Sequence, residues 1–266
     1  MFDTITEQQL KVCVPSIFTE EGAETTSERY TPISTMEIAR SLGKEGFYIT
    51  DAQQSGSRRE GGRDYAKHLL RFRHVNTMKV MSDTVPEIVL INSFDGKCAY
   101  RLLLGAFRSV CCNGLIAGQT YTEVRVRHQG DIVGNVIEGT YSVVEDSHKM
   151  LESVSEMKAI QLNDDQKMGM AKKVYDLRFK KDDSLCEYFK PNDLLRVRRY
   201  EEQDKDDLFT VFNILQENII RGGITAYSYR GWNRSQRTLR PVENIDKKRI
   251  LNQSLWSLAE EMKKAA

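Results

Sequence analysis

The sequence has 266 residues, of which 40% are hydrophobic and 29% charged, a balance that excludes a wholly disordered chain. Lysine and arginine number 39 and aspartate and glutamate 38, and this net charge of +1 excludes a uniformly basic coat protein for DNA. The longest apolar runs, residues 88–91 and 102–106, are far shorter than the ~20 residues of a membrane helix, so we expect no membrane partner.

The N-terminal segment is predicted to form a helix over residues 7–18, interrupted by Pro15. An acidic, threonine-rich loop follows over residues 19–27, and a second helix is predicted over 36–42. The opening residues are polar and acidic, which does not predict a secretory signal.

Two strands are predicted next, over residues 47–53 and 65–75, because polar and apolar side chains alternate there. Between them lies the basic finger, residues 54–64, which is too rich in glycine and serine for a regular element. The finger and the strand that follows it are strongly basic.

A long hairpin is predicted over residues 88–107, where two strand-favouring apolar runs flank Asp95-Gly96. We expect a type I′ turn at these two residues, which requires a positive φ at both. Further strands are predicted over 107–111 and 123–127, although the first of these segments could also begin a helix.

Apolar residues then recur at every third or fourth position instead of every second, and this spacing predicts a helical C-terminal half. The predicted helices cover residues 141–162, a segment that starts at an Asn163 or Asp164 cap, residues 192–199, residues 208–219 and residues 246–264. The fold class is therefore α+β, with an N-terminal antiparallel sheet and a mostly helical second half. The predicted regions are 1–29, 30–139 and 140–266, and one composite domain fits equally well.

Several blocks of the sequence resemble a bacterial family of phage/plasmid-related proteins, which occurs on prophages and conjugative plasmids. These blocks are SERYTPIST, YAKHLLRFR, NSFDGKCAYRL, FRSVCCNGL, VRHQGDIVGNVIEG, QENIIRGG and LNQSLWSLAEEM. The resemblance spans residues 14–262, and one departure is Phe94, where the family usually has histidine. It implies a mobile-element protein of the bacterial cytosol, and it implies no activity.

The order of the predicted elements also resembles the core of the single-strand annealing recombinases, which are ring-forming proteins that hold single-stranded DNA in a basic groove. No residue motif carries this second resemblance, so it is an analogy between folds. It implies a homo-oligomer.

The first candidate binding segment is the basic finger together with its following strand. Its lysines and arginines are Arg58, Arg59, Arg63, Lys67, Arg71 and Arg73. Arg71 and Arg73 are two residues apart on a strand and therefore point the same way. We expect an exposed row of guanidinium groups that neutralises phosphates and releases counterions. The simpler interpretation is a solvated face opposite a buried Leu70 and Phe72 face.

The second candidate segment is a basic, aromatic loop with neither helical nor strand period. The predicted binding residues here are Arg221, Tyr227, Tyr229, Arg230, Trp232, Arg234, Arg237 and Arg240. Proteins that bind single strands combine a basic track with rings on which bases stack, at ~1–3 kcal/mol per base. The same composition also suits an RNA-binding loop, or a surface loop whose rings pack onto the helices.

Catalytic and metal sites are less well supported. Asp83, Glu87, Asp95 and Lys97 surround the hairpin in the manner of a magnesium-dependent nuclease, but the turn already explains Asp95. Of the five cysteines, 13, 98, 111, 112 and 186, none forms a CxxC pair or has a histidine at ligand spacing. We therefore expect buried thiols in a reducing cytoplasm and no metal. Without a GxGxxG or Walker motif we also expect no cofactor.

The sequence thus predicts a cytoplasmic, mobile-element protein that binds nucleic acid, with single-stranded DNA favoured, in recombination, replication or establishment of the element. We expect no enzymatic activity. An alternative of another class is a protein-interaction module that binds a host protein and inhibits a host defence system. A metal-dependent nuclease is the third interpretation.

Overall fold

The computed structural model describes most of the chain and divides it into two compact units. The described residues are 4–27, 30–32, 34–57, 61–78, 83–108, 113–116, 123–126, 132–179, 184–230 and 233–266. Unit 1 comprises Met1–Met150 and unit 2 comprises Leu151–Ala266. The boundary predicted after residue 139 lies inside a helix of unit 1.

Unit 1 is built on a six-stranded antiparallel sheet in the order β1-β2-β3-β4-β5, with β6 also paired to β4. The strands are β1 (Phe47–Gln54), β2 (His68–His74), β3 (Thr84–Asn92), β4 (Tyr100–Arg108), β5 (Asn113–Ile116) and β6 (Glu123–Val126). The helices are α1 (Glu7–Cys13), α2 (Thr35–Lys44), α3 (Val75–Met78) and α4 (Ile132–Glu145), with a 3₁₀ turn over Pro15–Phe18.

One face of the sheet is covered by α2 and α4. On α2, the Thr35 hydroxyl contacts Tyr100 of β4 and accepts a hydrogen bond from Asn92 of β3. On α4, Gly139 lies so close to Leu102 and Val124 that a methyl group there would meet both side chains. Both faces of β2 and β3 are buried, so the centre of the sheet is the core of unit 1.

The predicted hairpin forms from β3 and β4, with Ile91 opposite Arg101, but the predicted type I′ turn is wrong. Gly96 has a φ of 72°, whereas Asp95 has no positive φ, and the connection runs over residues 93–99. The physical reason is Phe94, whose side chain is fully buried. Its backbone bonds to residues 23 and 65 hold the loop onto the core instead of closing a two-residue turn.

Unit 2 consists of helices and one small hairpin. The fifth helix, α5 (Ser147–Ala159), crosses the unit boundary and is followed by α6 (Asp164–Arg178), α7 (Leu208–Ile220) and α8 (Ile245–Ala265). Shorter 3₁₀ segments cover Ser184–Glu187, Pro191–Leu195 and Tyr200–Glu202. The hairpin strands are β7 (Thr225–Arg230) and β8 (Asn233–Thr238).

Helix α7 is the centre of unit 2, because all of its residues are buried. It packs against α6 and α8, and Phe212 meets the Trp256 ring edge to face at 5.9 Å. Gln216 donates a hydrogen bond of 2.7 Å to Asn252, which satisfies two amides inside this interface. The helix ends where Gly222 and Gly223 adopt positive φ, as the glycine pair predicts.

Three predicted features of the second half differ from the structure, of which the first is the helix predicted over 192–199, which is a 3₁₀ segment over Pro191–Leu195. The single helix predicted over 141–162 is two helices. The first, α4, begins at Ile132, and a turn at Asp146 separates it from α5. The basic, aromatic loop is a regular hairpin in which Tyr227 pairs with Gln236.

The predicted α+β class, with an N-terminal sheet and a helical second half, is confirmed. In the part of the chain that the structure describes, every helix is too short or too polar to cross a bilayer.

Candidate functional site

The β7–β8 hairpin presents one exposed face that carries both predicted tyrosines. Residues of β7 alternate, so Ala226 and Ser228 are buried while Tyr227 and Tyr229 are 40% and 68% exposed. Across the ladder, Tyr229 pairs with Arg234 and Tyr227 with Gln236, so these four side chains share the exposed face. Two rings and a guanidinium group therefore lie side by side in solvent, and we call this surface the tyrosine face.

The two arginines of β8 lie on opposite faces of the hairpin. The Arg234 guanidinium lies over the Tyr227 ring at 3.8 Å from the centroid. Arg237 lies over Tyr188 at 5.7 Å, on the side where Ser228 donates a hydrogen bond to Glu187. The hairpin thus uses one face to pack onto the 3₁₀ segment below it, and it leaves the tyrosine face open.

The other predicted residues of this segment have different positions. Arg221 is exposed at the end of α7 and pairs with Glu217, and Arg240 is exposed beyond β8. The backbone of Arg230 ends β7, and its side chain lies outside the description. Trp232 lies outside the described residues.

The basic finger in unit 1 is closed at its base by hydrogen bonds to backbone carbonyl oxygens. Ser55 N donates to Lys67 O at 2.8 Å, and Gln54 donates to Arg63 O at 2.8 Å. The exposed Arg63 side chain donates to Val12 O, and Lys67 is half-buried. Arg58 and Arg59, the tip of the predicted site, lie outside the described residues.

The expectation of an exposed row formed by Arg71 and Arg73 is not met, because both are only 4% exposed. They share the buried carboxylate of Glu87 on the neighbouring strand β3, at 2.8 Å from Arg71 Nη1 and 2.7 Å from Arg73 Nε. The Arg73 guanidinium also lies 3.6 Å from the centre of the Phe107 ring. Glu87 pairs with both guanidinium groups inside the sheet, so Arg71 and Arg73 do not contribute to an exposed basic surface.

Glycines make room for the Arg71 side chain. Its guanidinium donates to the carbonyl oxygens of Gly114 and Leu115 on β5. A Cβ atom at Gly114 would lie 2.2 Å from Arg71 Cζ, and one at Gly105 would lie 3.3 Å from Nη1. The arginine therefore occupies a slot that only glycine leaves open.

A second buried polar group lies on the opposite face of β2, around His68, whose imidazole is fully buried. Nδ1 lies 2.9 Å from the Ser16 hydroxyl and 3.3 Å from Ala66 O, and Nε2 lies 2.9 Å from the Thr35 hydroxyl. Because the carbonyl of Ala66 only accepts, Nδ1 carries the proton and Nε2 accepts from Thr35. Burial lowers the pKa of His68 to about 4, so the ring is neutral near pH 7.

The nuclease interpretation is not supported by the geometry of its acids. Glu87 is buried between two arginines, and Asp95 accepts hydrogen bonds from Ser93 and from the Lys97 backbone within its own loop. Among the described residues, no group of three histidine, cysteine or acidic side chains is placed to hold a metal ion. Cys98 is buried and Cys13 is exposed, contrary to the expectation of uniformly buried thiols.

The sequence interpretation missed several residues around the hairpin. Tyr188 supports it from below, and Arg196 donates a hydrogen bond of 3.2 Å to Thr225 O at the start of β7. Arg198 and Arg199 lie on the same segment and bond to the last turn of α7 and the residues after it. The run RVRR was the signal that could have identified this segment.

A family model and two relatives each match most of this chain. The model described as "Domain of unknown function (DUF932)" matches residues 23–256. The UPF0380 protein YafZ of Escherichia coli K12 is 37% identical over 256 residues, which is 96% of this chain and 90% of that protein. The UPF0380 protein YfjQ of the same strain is 36% identical over the same shares. No solved structure matches the chain. Because these matches extend over most of its length, the protein belongs to the DUF932 family.

Proposed function

We propose that this protein binds single-stranded DNA through the tyrosine face of the β7–β8 hairpin. The observation that carries the proposal is the exposure of Tyr227 and Tyr229 beside Arg234 on one face. Bases stack on exposed rings whatever their sequence, and an arginine between the rings neutralises a phosphate or stacks in turn. A duplex keeps its bases paired, so a stacking surface favours an unpaired strand.

The setting is the cytoplasm of a bacterium, with the protein encoded by a prophage or plasmid and acting in recombination, replication or establishment of that element. The sequence blocks that resemble the phage/plasmid-related proteins support this setting. The analogy with annealing recombinases extends the proposal to a homo-oligomer that holds the strand along several hairpins. Size-exclusion chromatography with light scattering measures this state directly.

The binding test is fluorescence anisotropy with a labelled single strand of about 40 nucleotides and its duplex, at 50 and 200 mM salt. We expect the single strand to bind more tightly and its affinity to fall steeply with salt. Replacing both tyrosines, Tyr227→Ala with Tyr229→Ala, should weaken binding by about 10-fold or more, since each stacked base contributes ~1–3 kcal/mol. Replacing both by phenylalanine keeps the rings and should keep the affinity.

The matched control is Tyr200→Ala, which removes a tyrosine that is 87% exposed elsewhere in the same unit. Equal effects of Tyr200→Ala and the hairpin substitutions would contradict the proposal. A wild-type protein that binds neither strand would overturn it. Capture of a host protein from nuclease-treated lysate would then favour the inhibitor of a host defence system.

The basic finger enters the proposal as a separate, electrostatic contact from unit 1. Its arginines, Arg58, Arg59 and Arg63, are the residues to reverse to glutamate together. We expect the salt dependence of binding to decrease, because fewer phosphates are neutralised. Unchanged binding by this triple variant removes the finger from the proposal and leaves the hairpin in place.

A further inference from the structure

Four arginines meet at the end of α7, where the chain turns into the hairpin. We call Arg196, Arg198, Arg199 and Arg221 the arginine cluster. Arg199 and Arg221 both donate to the same oxygen of Glu217. Glu217 is 3% exposed and is the acid at the centre of the cluster.

The last turn of α7 holds this cluster in place. Asn218 is fully buried, and its amide donates to the carbonyl oxygens of Leu194 and Arg196 at 2.7 and 2.9 Å. Its carbonyl oxygen accepts from Arg198 Nε at 2.6 Å, and Arg198 also donates to Gly222 O. The backbone that carries the arginines is therefore fixed by hydrogen bonds before any ligand arrives.

Positive charge is in excess here. Arg199 and Arg221 both pair with the Glu217 carboxylate, and Arg196 lies 4.0 Å from the Asp193 carboxylate. Burial lowers the pKa of the Arg198 guanidinium; the Glu217 carboxylate raises this pKa, and the neighbouring charges of Arg221, Arg199 and Arg196 lower it further. The carbonyl end of α7 offsets part of the repulsion among these arginines. Arg196 and Arg221 nevertheless have side chains that are 52% exposed.

The cluster adjoins the tyrosine face. Arg196 bonds to Thr225 O, and Thr225, Tyr227 and Tyr229 alternate along β7 on one side. Planar guanidinium groups on a fixed backbone match the oxygens of a phosphate. We propose that the arginine cluster binds the phosphodiester backbone of the strand whose bases stack on Tyr227 and Tyr229. This inference rests on the proposed function and adds the site for the charged part of the same ligand.

The test separates phosphate contacts from base contacts with two probes, a thymidine strand and a strand of abasic sites, each titrated over 50–200 mM salt. The variant is Arg196→Gln with Arg221→Gln, two half-exposed residues, and circular dichroism checks its fold. We expect the slope of log affinity against log salt to fall by about 0.7 per arginine on both probes. Tyr227→Ala with Tyr229→Ala should weaken the thymidine strand alone.

Two control variants test charge removal elsewhere in the unit and charge conservation at the cluster. Lys172→Gln with Lys173→Gln removes two exposed charges from α6 in the same unit and should lower the slope less. Arg196→Lys with Arg221→Lys keeps the charge and should keep the slope.

The possible outcomes distinguish the two proposals. The arginine variant contradicts the proposal for the arginine cluster if its slope equals that of the wild type or that of Lys172→Gln with Lys173→Gln. The proposal for the tyrosine face is unaffected by this result. A lowered slope with no effect of the tyrosine substitutions supports the cluster and overturns the stacking. A wild-type protein that binds neither probe overturns both.

Discussion

The Arg234 guanidinium stacks on the Tyr227 ring at 3.8 Å across the two strands of the hairpin. One face of that ring is therefore already covered in the unbound protein, whereas Tyr229, which is 68% exposed, has most of its ring in solvent. The pair holds the Tyr227 ring against Arg234 and places a positive charge beside it, on the residue opposite Tyr229.

Replacing Arg234 by lysine keeps the charge and removes the planar stack. We expect single-strand affinity to fall by about two- to fivefold, the size of a cation–π contact at an exposed site, with no change in its salt dependence. Arg234→Gln should also lower the salt slope. Anisotropy titrations over a range of salt measure both effects, and identical slopes for the two variants would contradict this role.

The Glu87 carboxylate balances two buried arginines, so removing its charge should be costly. We expect Glu87→Gln to lower the free energy of unfolding by about 3–5 kcal/mol, because it leaves buried positive charges without an acid. Glu24, an exposed glutamate in the same unit, is the control, and Glu24→Gln should change stability by less than about 0.5 kcal/mol. Urea denaturation followed by circular dichroism compares them, and similar midpoints would refute the pairing.

Gly114 should tolerate no side chain, since a methyl group there would overlap the Arg71 guanidinium. We expect Gly114→Ala to destabilise unit 1 by about 1–3 kcal/mol through overpacking. Gly43→Ala has the opposite expectation, a gain of up to about 1 kcal/mol, because Gly43 lies in α2 with open space around it. Thermal unfolding measures both variants, and we expect the midpoint of Gly114→Ala to lie below that of Gly43→Ala. The reverse order would contradict both expectations.

His68 makes stability depend on pH in a defined window. Its pKa is about 4 in the fold and about 6.5 in the unfolded chain, so only the unfolded state takes up the proton between these values. The contribution of His68 to stability is therefore complete above about pH 6.5 and falls as the pH drops, by up to about 3 kcal/mol at pH 4.

Urea midpoints from pH 7.5 to 4.5 measure this slope. We expect His68→Gln to flatten it, while His148→Gln, which replaces an exposed imidazole, should leave it as in the wild type. A His68→Gln protein with the wild-type slope would show that other groups cause the acid sensitivity.

The helices of unit 2 were predictable because their signals are local. The apolar stripe of α7 and the cap at Asn163, which forms a capping box with Gln166, both lie within a few residues of the elements they define. The β7–β8 hairpin was missed because its pattern is inverted. Small residues, Ala226 and Ser228, point inward, whereas the large tyrosines point outward.

The partners of Arg71 and Arg73 depend on tertiary structure. Glu87 lies 16 and 14 residues along the chain, and only the register of β2 against β3 brings its carboxylate between the two guanidinium groups. In the same way, the aspartate-glycine pair predicts a tight turn by itself, and the burial of Phe94 overrides it. Charge spacing along a strand fixes which residues share a face, but not whether solvent reaches that face.

The exposure of strand β8 affects how related proteins can diverge in sequence. Its described side chains, Arg234–Thr238, are all exposed, and those of Ser235 and Arg237 contact Tyr188 on the face opposite the tyrosine face. Substitutions of Arg234 and Gln236, which lie on the tyrosine face, therefore cost little stability, while each one changes that exposed surface. Selection can therefore alter the tyrosine face without rebuilding the unit that holds it, and under the proposed function closely related proteins can come to prefer different nucleic acids.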